Sequence, residues 1–157
     1  IPDRINDRLH SIGLNPSNLI IELTESAVMN DTSASLDTLN RLRLKGIGLS
    51  IDDFGTGFSS VQQLYRVPFN ELKIDQSFVR RMLVDKGAMA IVESTIDLAR
   101  RLGMSVVAEG IETKEIYMAM DDLGCDMAQG YYIGKPMPGA QLPAWNDMWV
   151  QSDIFNS

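Results

Sequence analysis

Short β-rich runs alternate with longer helical patterns along the chain. The strand-like runs lie at residues 18–25, 46–54, 71–75, 104–112 and 126–133. The helical patterns have apolar residues on one side and end beside a glycine, and they cover residues 35–45, 88–102 and 114–123. Strands and helices that alternate at this spacing predict βα units and a parallel sheet. The expected fold is therefore α/β, as an open doubly wound sheet or as most of a (β/α)8 TIM-like barrel. No GxGxxG or Walker-type loop is present, which disfavours a nucleotide-binding open sheet.

Each strand-like run has one aliphatic face and one face with a polar residue near its carboxyl end. Side chains alternate across a strand, so Ile21 and Leu23 share one face and Glu22 lies on the other. The same phase applies in every run, and it gives a polar set of Glu22, Asp52, Lys73 with Asp75, Glu109 and Gln129. Any one of these residues alone is best explained as a turn residue or a helix cap. Because all five runs have a polar residue on the same face near the carboxyl end, they predict a site at the end of the strands where a barrel has its active site.

The composition restricts the classes of partner and location. Of the 157 residues, 45% are hydrophobic and 22% are charged, which is typical of one globular domain. The formal net charge is −7 and no run of Lys or Arg occurs, so a nucleic-acid polymer is not an expected partner. The single cysteine, Cys125, excludes an internal disulfide and fits a reducing cytoplasm. No apolar run is long enough to span a bilayer, so we expect a cytoplasmic location, with an inner-membrane anchor elsewhere in a longer protein left open.

The polar set indicates metal-dependent chemistry. Its carboxylates are oxygen donors, and the only histidine, His10, lies far from every strand end. Such a set suits Mg²⁺ or Mn²⁺ rather than zinc. The adjacent Asp52 and Asp53 could serve two ions, a recurrent arrangement for phosphodiester hydrolysis. Lys73 could hold a water or a phosphate oxygen, or form only a structural salt bridge; Gln129 could bind a base or a phosphate, or only tie the backbone at the barrel mouth.

The loop at residues 55–60 follows the two aspartates at once. Its sequence, Gly-Thr-Gly-Phe-Ser-Ser, combines glycines, small hydroxyl residues and one aromatic residue. It is interpreted as a mobile lid or a partner-contact loop, and the alternative is an ordinary βα connection.

Five motifs carry a resemblance to a known family. The segments "ELTES", "DDFGTGFSS", "LKID", "AEGIET" and "QGYYIGKP" occur in this order between about residue 15 and residue 138. In order and spacing they resemble the EAL-domain family of bacterial cyclic di-GMP phosphodiesterases. The resemblance implies a modified (β/α)8 barrel that hydrolyses cyclic di-GMP to linear pGpG with two Mg²⁺ or Mn²⁺ ions.

The resemblance also implies metal ligands. Glu22 matches a metal ligand, Asp52 matches the ligand that bridges the two ions, and Asp53 matches a ligand of the second ion. Glu109 matches a residue that acts as second-metal ligand or as general base.

Further positions of the motifs match catalytic and supporting residues. Lys73 resembles the lysine that holds the catalytic water, and Asp75 is its neighbour in the site. Glu25 resembles the glutamate that ties down the glycine-rich loop. Glu112 and Gln129 match supporting and substrate-contacting positions.

The chain departs from the family pattern at its start. The Glu-Ala-Leu strand and the next strand, which ends in a metal-binding asparagine, are absent, and the chain begins in a helix. We therefore expect residues 1–157 to be the C-terminal part of a single EAL-type domain, an incomplete barrel of about five βα units that lacks the first strands. Such a piece should be poorly active or inactive.

The resemblance further implies a homodimer through the glycine-rich loop region and a longer protein with sensory or GGDEF-type domains. The alternatives are a non-catalytic cyclic di-GMP receptor and a barrel hydrolase for another phosphodiester.

Overall fold

A parallel sheet with helices packed on one of its faces forms the body of the chain. The computed structural model describes residues 1–29, 33–55 and 61–151. The strands are β1 (Ile20–Thr24), β2 (Gly48–Phe54), β3 (Glu71–Ile74), β4 (Ser105–Glu109) and β5 (Met127–Gln129). The helices are α1 (Pro2–Ser11), α2 (Glu25–Met29), α3 (Ser33–Leu44), α4 (Val61–Arg66), α5 (Gln76–Val79), α6 (Lys86–Leu102), α7 (Lys114–Asp122) and α8 (Leu142–Val150). Single 3₁₀ turns lie at Pro16–Asn18 and Gly139–Gln141.

The strand order decides between the two expected α/β folds. In the described residues the sheet order is β1-β2-β3-β4-β5, and each neighbouring pair is parallel. A doubly wound sheet reverses its strand order at a switch point, whereas a barrel adds each new strand to the same side. The sequential order is therefore that of a partial (β/α)8 barrel.

The helices pack on the aliphatic face of the sheet. This face of β2, β3 and β4 is fully buried, and it consists of Leu49, Ile51, Leu72, Ile74, Val106 and Ala108. Val92, Ile96 and Ala99 of α6 belong to the same core cluster. Each fully buried Leu, Ile or Val contributes about 1.5–3 kcal/mol relative to exposure. The buried aliphatic face leaves the opposite face, with its polar residues, to form the site.

Local signals fix the limits of the main helix, α6. The side chain of Asp85 accepts hydrogen bonds from the backbone N–H groups of Gly87 (2.8 Å) and Ala88 (3.2 Å), which caps the amino end. Gly103 ends the helix with a left-handed backbone conformation, φ +70°.

All five strands are shorter in the structure than the predicted runs, and the last two differ most. The run 104–112 forms a strand only to Glu109, and the run 126–133 forms one only over Met127–Gln129. At residues 130–134 the backbone turns back on itself instead, with hydrogen bonds from the N–H groups of Ile133 and Gly134 to the carbonyl of Gly130. Helix α8 at the end of the chain was not part of the sequence-based prediction.

No membrane-spanning helix is found among the described residues. None of their helices combines the length and the apolar character that crossing a bilayer requires.

Candidate metal and substrate site

Polar side chains from neighbouring strands meet at the carboxyl end of the sheet. The register pairs Thr24 of β1 with Asp52 of β2, and Glu109 of β4 with Gln129 of β5. Because parallel strands have their carboxyl ends at one edge, the predicted site residues lie near the same edge of the sheet, with Glu22, which pairs with Ser50, two residues below Asp52 in register.

A β-bulge places the two adjacent aspartates on one side of strand β2. Ile51 pairs with Leu72 and Phe54 pairs with Ile74, so β2 contains one more residue than β3 between these pairs. Asp53 has a positive φ of 57°, a left-handed conformation that aspartate tolerates better than most residues. In a regular strand Asp52 and Asp53 would face opposite sides, but carboxylate oxygens of both lie within 4.8 Å of each other and of Glu109. Simple strand alternation could not predict this bulge.

Lys73 lies at the centre of the cluster. Only 5% of the residue is exposed. Its Nζ lies 2.6 Å from Oε1 of Glu109, 3.1 Å from Oε1 of Glu22 and 3.5 Å from Oδ1 of Asp52. Burial alone would lower the pKa of Lys73, but hydrogen bonds to Glu109 and Glu22 and the charges of Glu109 and Asp52 outweigh it and raise the pKa above its usual range. The lysine is therefore charged, and three carboxylates surround its ammonium group.

The carboxylates are crowded beyond what one lysine can balance. Burial raises the pKa of Asp53, and the charges of Asp52 and Asp75 raise it further. Burial likewise raises the pKa of Glu109, and Asp52 and Asp53 add to this effect while Lys73 opposes it. An additional cation would relieve this repulsion, and a purely oxygen-donor set suits a divalent ion such as Mg²⁺ or Mn²⁺. The residues therefore fit a divalent metal centre.

Asp75 connects the cluster to helix α5. One of its oxygens, Oδ1, accepts a hydrogen bond from the backbone N–H of Ser77 (2.9 Å) and another from the Ser77 hydroxyl, so that it caps the helix. Its carboxyl group also lies close enough to that of Asp53 to raise the pKa of Asp53. Asp75 thus lies beside the carboxylates, at the start of α5 rather than in a strand.

Glu25 contacts the backbone just after the end of strand β2. It is the first residue of α2 and is 3% exposed. Its Oε2 accepts a hydrogen bond of 3.1 Å from the backbone N–H of Gly55. Gly55 is the first residue of the glycine-rich loop; residues 56–60, on which the lid and dimer predictions rest, lie outside the described residues.

A cleft of about 240 Å³ adjoins the carboxylate cluster. Glu109 and Gln129 both line it, and Glu112 and Arg80 form an ion pair of 2.8 Å within it. The cleft depends on a close backbone approach at Gly130, where an added Cβ would lie 2.1 Å from the carbonyl oxygen of Ile111. The structure thus brings Glu112 and Gln129 into one cavity beside Glu109.

Some residues of this cleft were not predicted from the sequence. Gln76, Arg80 and Tyr131 line it, and none of them belongs to the polar set that the strand phase identified. Gln76 and Arg80 come from α5 and its carboxyl-terminal cap. A four-residue helix is too short to produce a periodic pattern, so the sequence contained no signal for these side chains.

Comparisons with known proteins identify similar chains. A family model for the EAL domain matches residues 1–136. The chain is 45% identical over 142 residues to the bifunctional diguanylate cyclase/cyclic di-GMP phosphodiesterase MucR of Pseudomonas aeruginosa, covering 90% of the chain and 21% of MucR. It is 39% identical over 138 residues to the cyclic di-GMP phosphodiesterase RocR of the same organism, covering 88% of the chain and 35% of RocR. The chain therefore spans about a fifth to a third of the length of these curated relatives.

Solved structures show the same likeness. The complex of the PaMucR phosphodiesterase with c-di-GMP superposes with a TM-score of 0.84 at 45% identity, over 89% of this chain and 57% of that one. The manganese and cy-diGMP complex of BlrP1 from Klebsiella pneumoniae at pH 6 gives a TM-score of 0.77 at 35% identity, over 82% of this chain and 33% of that one.

Proposed function

The chain belongs to the EAL-domain family, and on this premise we propose that it is the C-terminal part of a metal-dependent phosphodiesterase that hydrolyses cyclic di-GMP to linear pGpG. The observation that carries the proposal is the convergence of Asp52, Asp53 and Glu109 around the buried Lys73 at the ends of the strands. The names of the similar proteins, which include cyclic di-GMP phosphodiesterases, support the choice of substrate.

The carboxylate cluster would hold the metal ions. Asp52, Asp53 and Glu109 already have oxygens within 4.8 Å of one another, and Glu22 contacts the same lysine. In the complete domain we propose two Mg²⁺ or Mn²⁺ ions, with Asp52 as the shared ligand. Bound there, the ions would neutralise the phosphate, lower the pKa of a bound water and stabilise the leaving oxygen.

The other residues of the cluster would orient water and substrate. Lys73 is fixed by its three carboxylate contacts, so its charge has a defined position from which a donor can reach the attacking water or a phosphate oxygen. Glu109 faces both the cluster and the cleft, which suits a metal ligand or a general base. Asp75 would add negative charge beside Asp53, which raises the pKa of Asp53 and would favour a cation bound there.

The cleft would receive part of the dinucleotide. The amide of Gln129 can both donate and accept hydrogen bonds, as recognition of a base edge requires. Glu112 lines the same cleft, where it pairs with Arg80, and it would support the bound dinucleotide from there. Glu25 would act at a distance from the substrate, through the backbone of Gly55 at the end of the strand that carries both aspartates.

The chain would act within a longer cytoplasmic signalling protein. The similar MucR and RocR are several times longer than the matched segment, and the name of MucR includes a diguanylate cyclase. We propose that residues 1–157 are completed by upstream barrel strands, that sensory or GGDEF-type domains accompany them, and that the glycine-rich loop region contributes to a homodimer.

The test compares the complete domain with residues 1–157 alone. Cyclic di-GMP is incubated with each protein in Mg²⁺, in Mn²⁺ and in EDTA, and pGpG is measured by chromatography. We expect turnover by the complete domain that requires the metal, and little turnover by residues 1–157. Tight binding of cyclic di-GMP without turnover would instead indicate the receptor alternative, and selective turnover of another phosphodiester would indicate a different hydrolase.

A further inference from the structure

Few basic side chains lie in or beside the site. The chain has 21 Asp and Glu residues against 14 Lys and Arg residues. Lys73 already forms ion pairs with Glu22, Asp52 and Glu109. Among the described residues that line the adjoining cleft, Arg80 is the one basic side chain.

Arg80 has a fixed place next to the reacting centre. It caps the carboxyl end of α5, where its backbone N–H donates to the carbonyl of Gln76 at 3.0 Å. Its side chain lies against the turn that follows strand β4, because an added Cβ at Gly110 would be 3.3 Å from Nε of Arg80. Arg80 and Glu109 line the same cleft, so the guanidinium group lies in the cavity that adjoins the carboxylate cluster.

The present partner of Arg80 is easily exchanged. Nη2 of Arg80 lies 2.8 Å from Oε1 of Glu112, and the two side chains are 46% and 43% exposed. An ion pair exposed to this extent contributes little net free energy, because water solvates both charges nearly as well. A ligand with a higher charge density than a carboxylate can therefore take the place of Glu112.

The proposed reaction creates such a ligand. Water adds to phosphorus, one phosphorus–oxygen bond to the ribose breaks, and the released oxygen takes up a proton. A phosphodiester with one negative charge becomes a terminal phosphomonoester with about −1.5 to −2 charges at pH 7. A guanidinium group binds the oxygens of such a phosphate through two parallel hydrogen bonds.

From these observations we propose that Arg80 binds the terminal phosphate of the linear dinucleotide product, and that it exchanges Glu112 for this phosphate when the ring opens. This inference rests on the proposed function. Arg80 is then a product-binding residue that acts by direct contact, not through the position of Glu112.

Equilibrium binding to the complete domain in Mg²⁺ tests the contact. The two probes are pGpG and the same dinucleotide without its phosphate, GpG. We expect Arg80→Ala to weaken pGpG binding by about tenfold or more, the effect of losing a charge-assisted hydrogen bond. Binding of GpG should stay at the wild-type level. Arg80→Lys keeps the charge without the planar fork, so it should lie between the wild type and Arg80→Ala.

Two further variants separate direct contact from an indirect role. Arg81→Ala is the matched control, because the neighbouring Arg81 pairs with Asp85 and does not line the cleft; it should bind pGpG like the wild type. Glu112→Gln frees Arg80, so pGpG binding should be kept or strengthened. In the catalytic assay, Arg80→Ala should also weaken inhibition by pGpG.

Two outcomes would overturn the inference while the proposed function stands. One is an equal loss of pGpG and GpG binding in Arg80→Ala. The other is a Glu112→Gln variant that reproduces the loss seen in Arg80→Ala, which would make Arg80 a positioning residue. A wild-type domain that binds neither the cyclic nor the linear dinucleotide would overturn the proposed function and this inference together.

Discussion

Glu25 and Gly55 are joined by a hydrogen bond of 3.1 Å from the backbone N–H of Gly55 to Oε2 of the carboxylate. Glu25 could also have served as the cap of helix α2, but Thr24 takes this role, since its Oγ1 accepts from the backbone N–H of Ala27 at 3.3 Å. The geometry therefore favours a tether at the end of strand β2 over a helix cap.

Glu25→Ala should lower metal affinity and turnover of the complete domain, because the strand that carries Asp52 and Asp53 loses its fixed end. Thr24→Ala is the comparison: loss of the cap should cost about 1 kcal/mol of stability with metal affinity kept. Metal titration and melting temperature are measured on both variants. Normal turnover of Glu25→Ala with a lowered melting temperature would contradict the tether.

Asp52→Ala should reduce metal-dependent hydrolysis by about a hundredfold or more, because one carboxylate of the proposed shared metal site is lost. Folding should be largely kept, since the change removes one of several crowded negative charges. Steady-state turnover in Mg²⁺ and thermal melting measure the two effects. Asp97→Ala, which removes an exposed partner of Arg101 on α6, is the control and should retain activity. An Asp52→Ala protein with near wild-type turnover would refute the assigned role.

Lys73→Met should destabilise the fold by about 3 kcal/mol, near the lower end of the range for buried charges left without a partner. The lower end applies because Glu22, one of its three carboxylate partners, is half exposed. Denaturant unfolding in EDTA measures the loss, and Lys114→Met, an exposed lysine at the start of α7, is the control. Equal stability of Lys73→Met and the wild type would mean that the cluster does not need its central cation.

Asp53→Asn should raise the melting temperature of the metal-free protein at pH 7. Burial and the neighbouring carboxylates raise the pKa of Asp53, so the folded state holds this proton more tightly than the unfolded chain does. The free energy of unfolding then falls as the pH rises through the ordinary carboxyl range, from about pH 4 upward. Asparagine removes this loss and tolerates the left-handed backbone at this position.

The pH and metal dependence distinguish this effect from general stabilisation. The advantage of Asp53→Asn should vanish near pH 3, where the aspartate is also neutral, and added Mg²⁺ or Mn²⁺ should stabilise the wild type more than the variant. Asp7→Asn, an exposed acid on α1, should change neither profile. If Asp53→Asn melts at a lower temperature than the wild type at pH 7 in EDTA, the prediction is wrong.

Gly130→Ala should destabilise the fold by about 3 kcal/mol or more, because the new methyl group would overlap the backbone of Ile111 and cannot be relieved by a side-chain rotation. Gly139→Ala is the matched control, since an added Cβ there meets nothing within 4 Å. Thermal melting compares the two. If Gly130→Ala melts like the control, the close approach of residues 130 and 111 is not required.

The sequence predicted the parts of the site that follow strand alternation. Glu22, Lys73 and Glu109 lie on the polar face of their strands, and their contacts follow from that phase. The position of Asp53 did not follow, because a bulge depends on how two strands pair and not on the composition of one strand.

Other features depend on contacts between distant segments. Strand β5 ends at Gln129 because Gly130 packs against Ile111, and no local pattern in residues 126–133 reports this contact. Arg80 was not predicted as a site residue because α5 has only four residues, too few to show the period of a helix.

The bulge in strand β2 makes the length of this segment as important as its composition. Deleting either aspartate, unlike replacing it, would leave Phe54 two positions after Ile51, on the core face of a regular strand, while the site would lose one of its carboxylates. Because pairing with Leu72 and Ile74 fixes Ile51 and Phe54, the number of residues between them sets how many carboxylates strand β2 brings to the site.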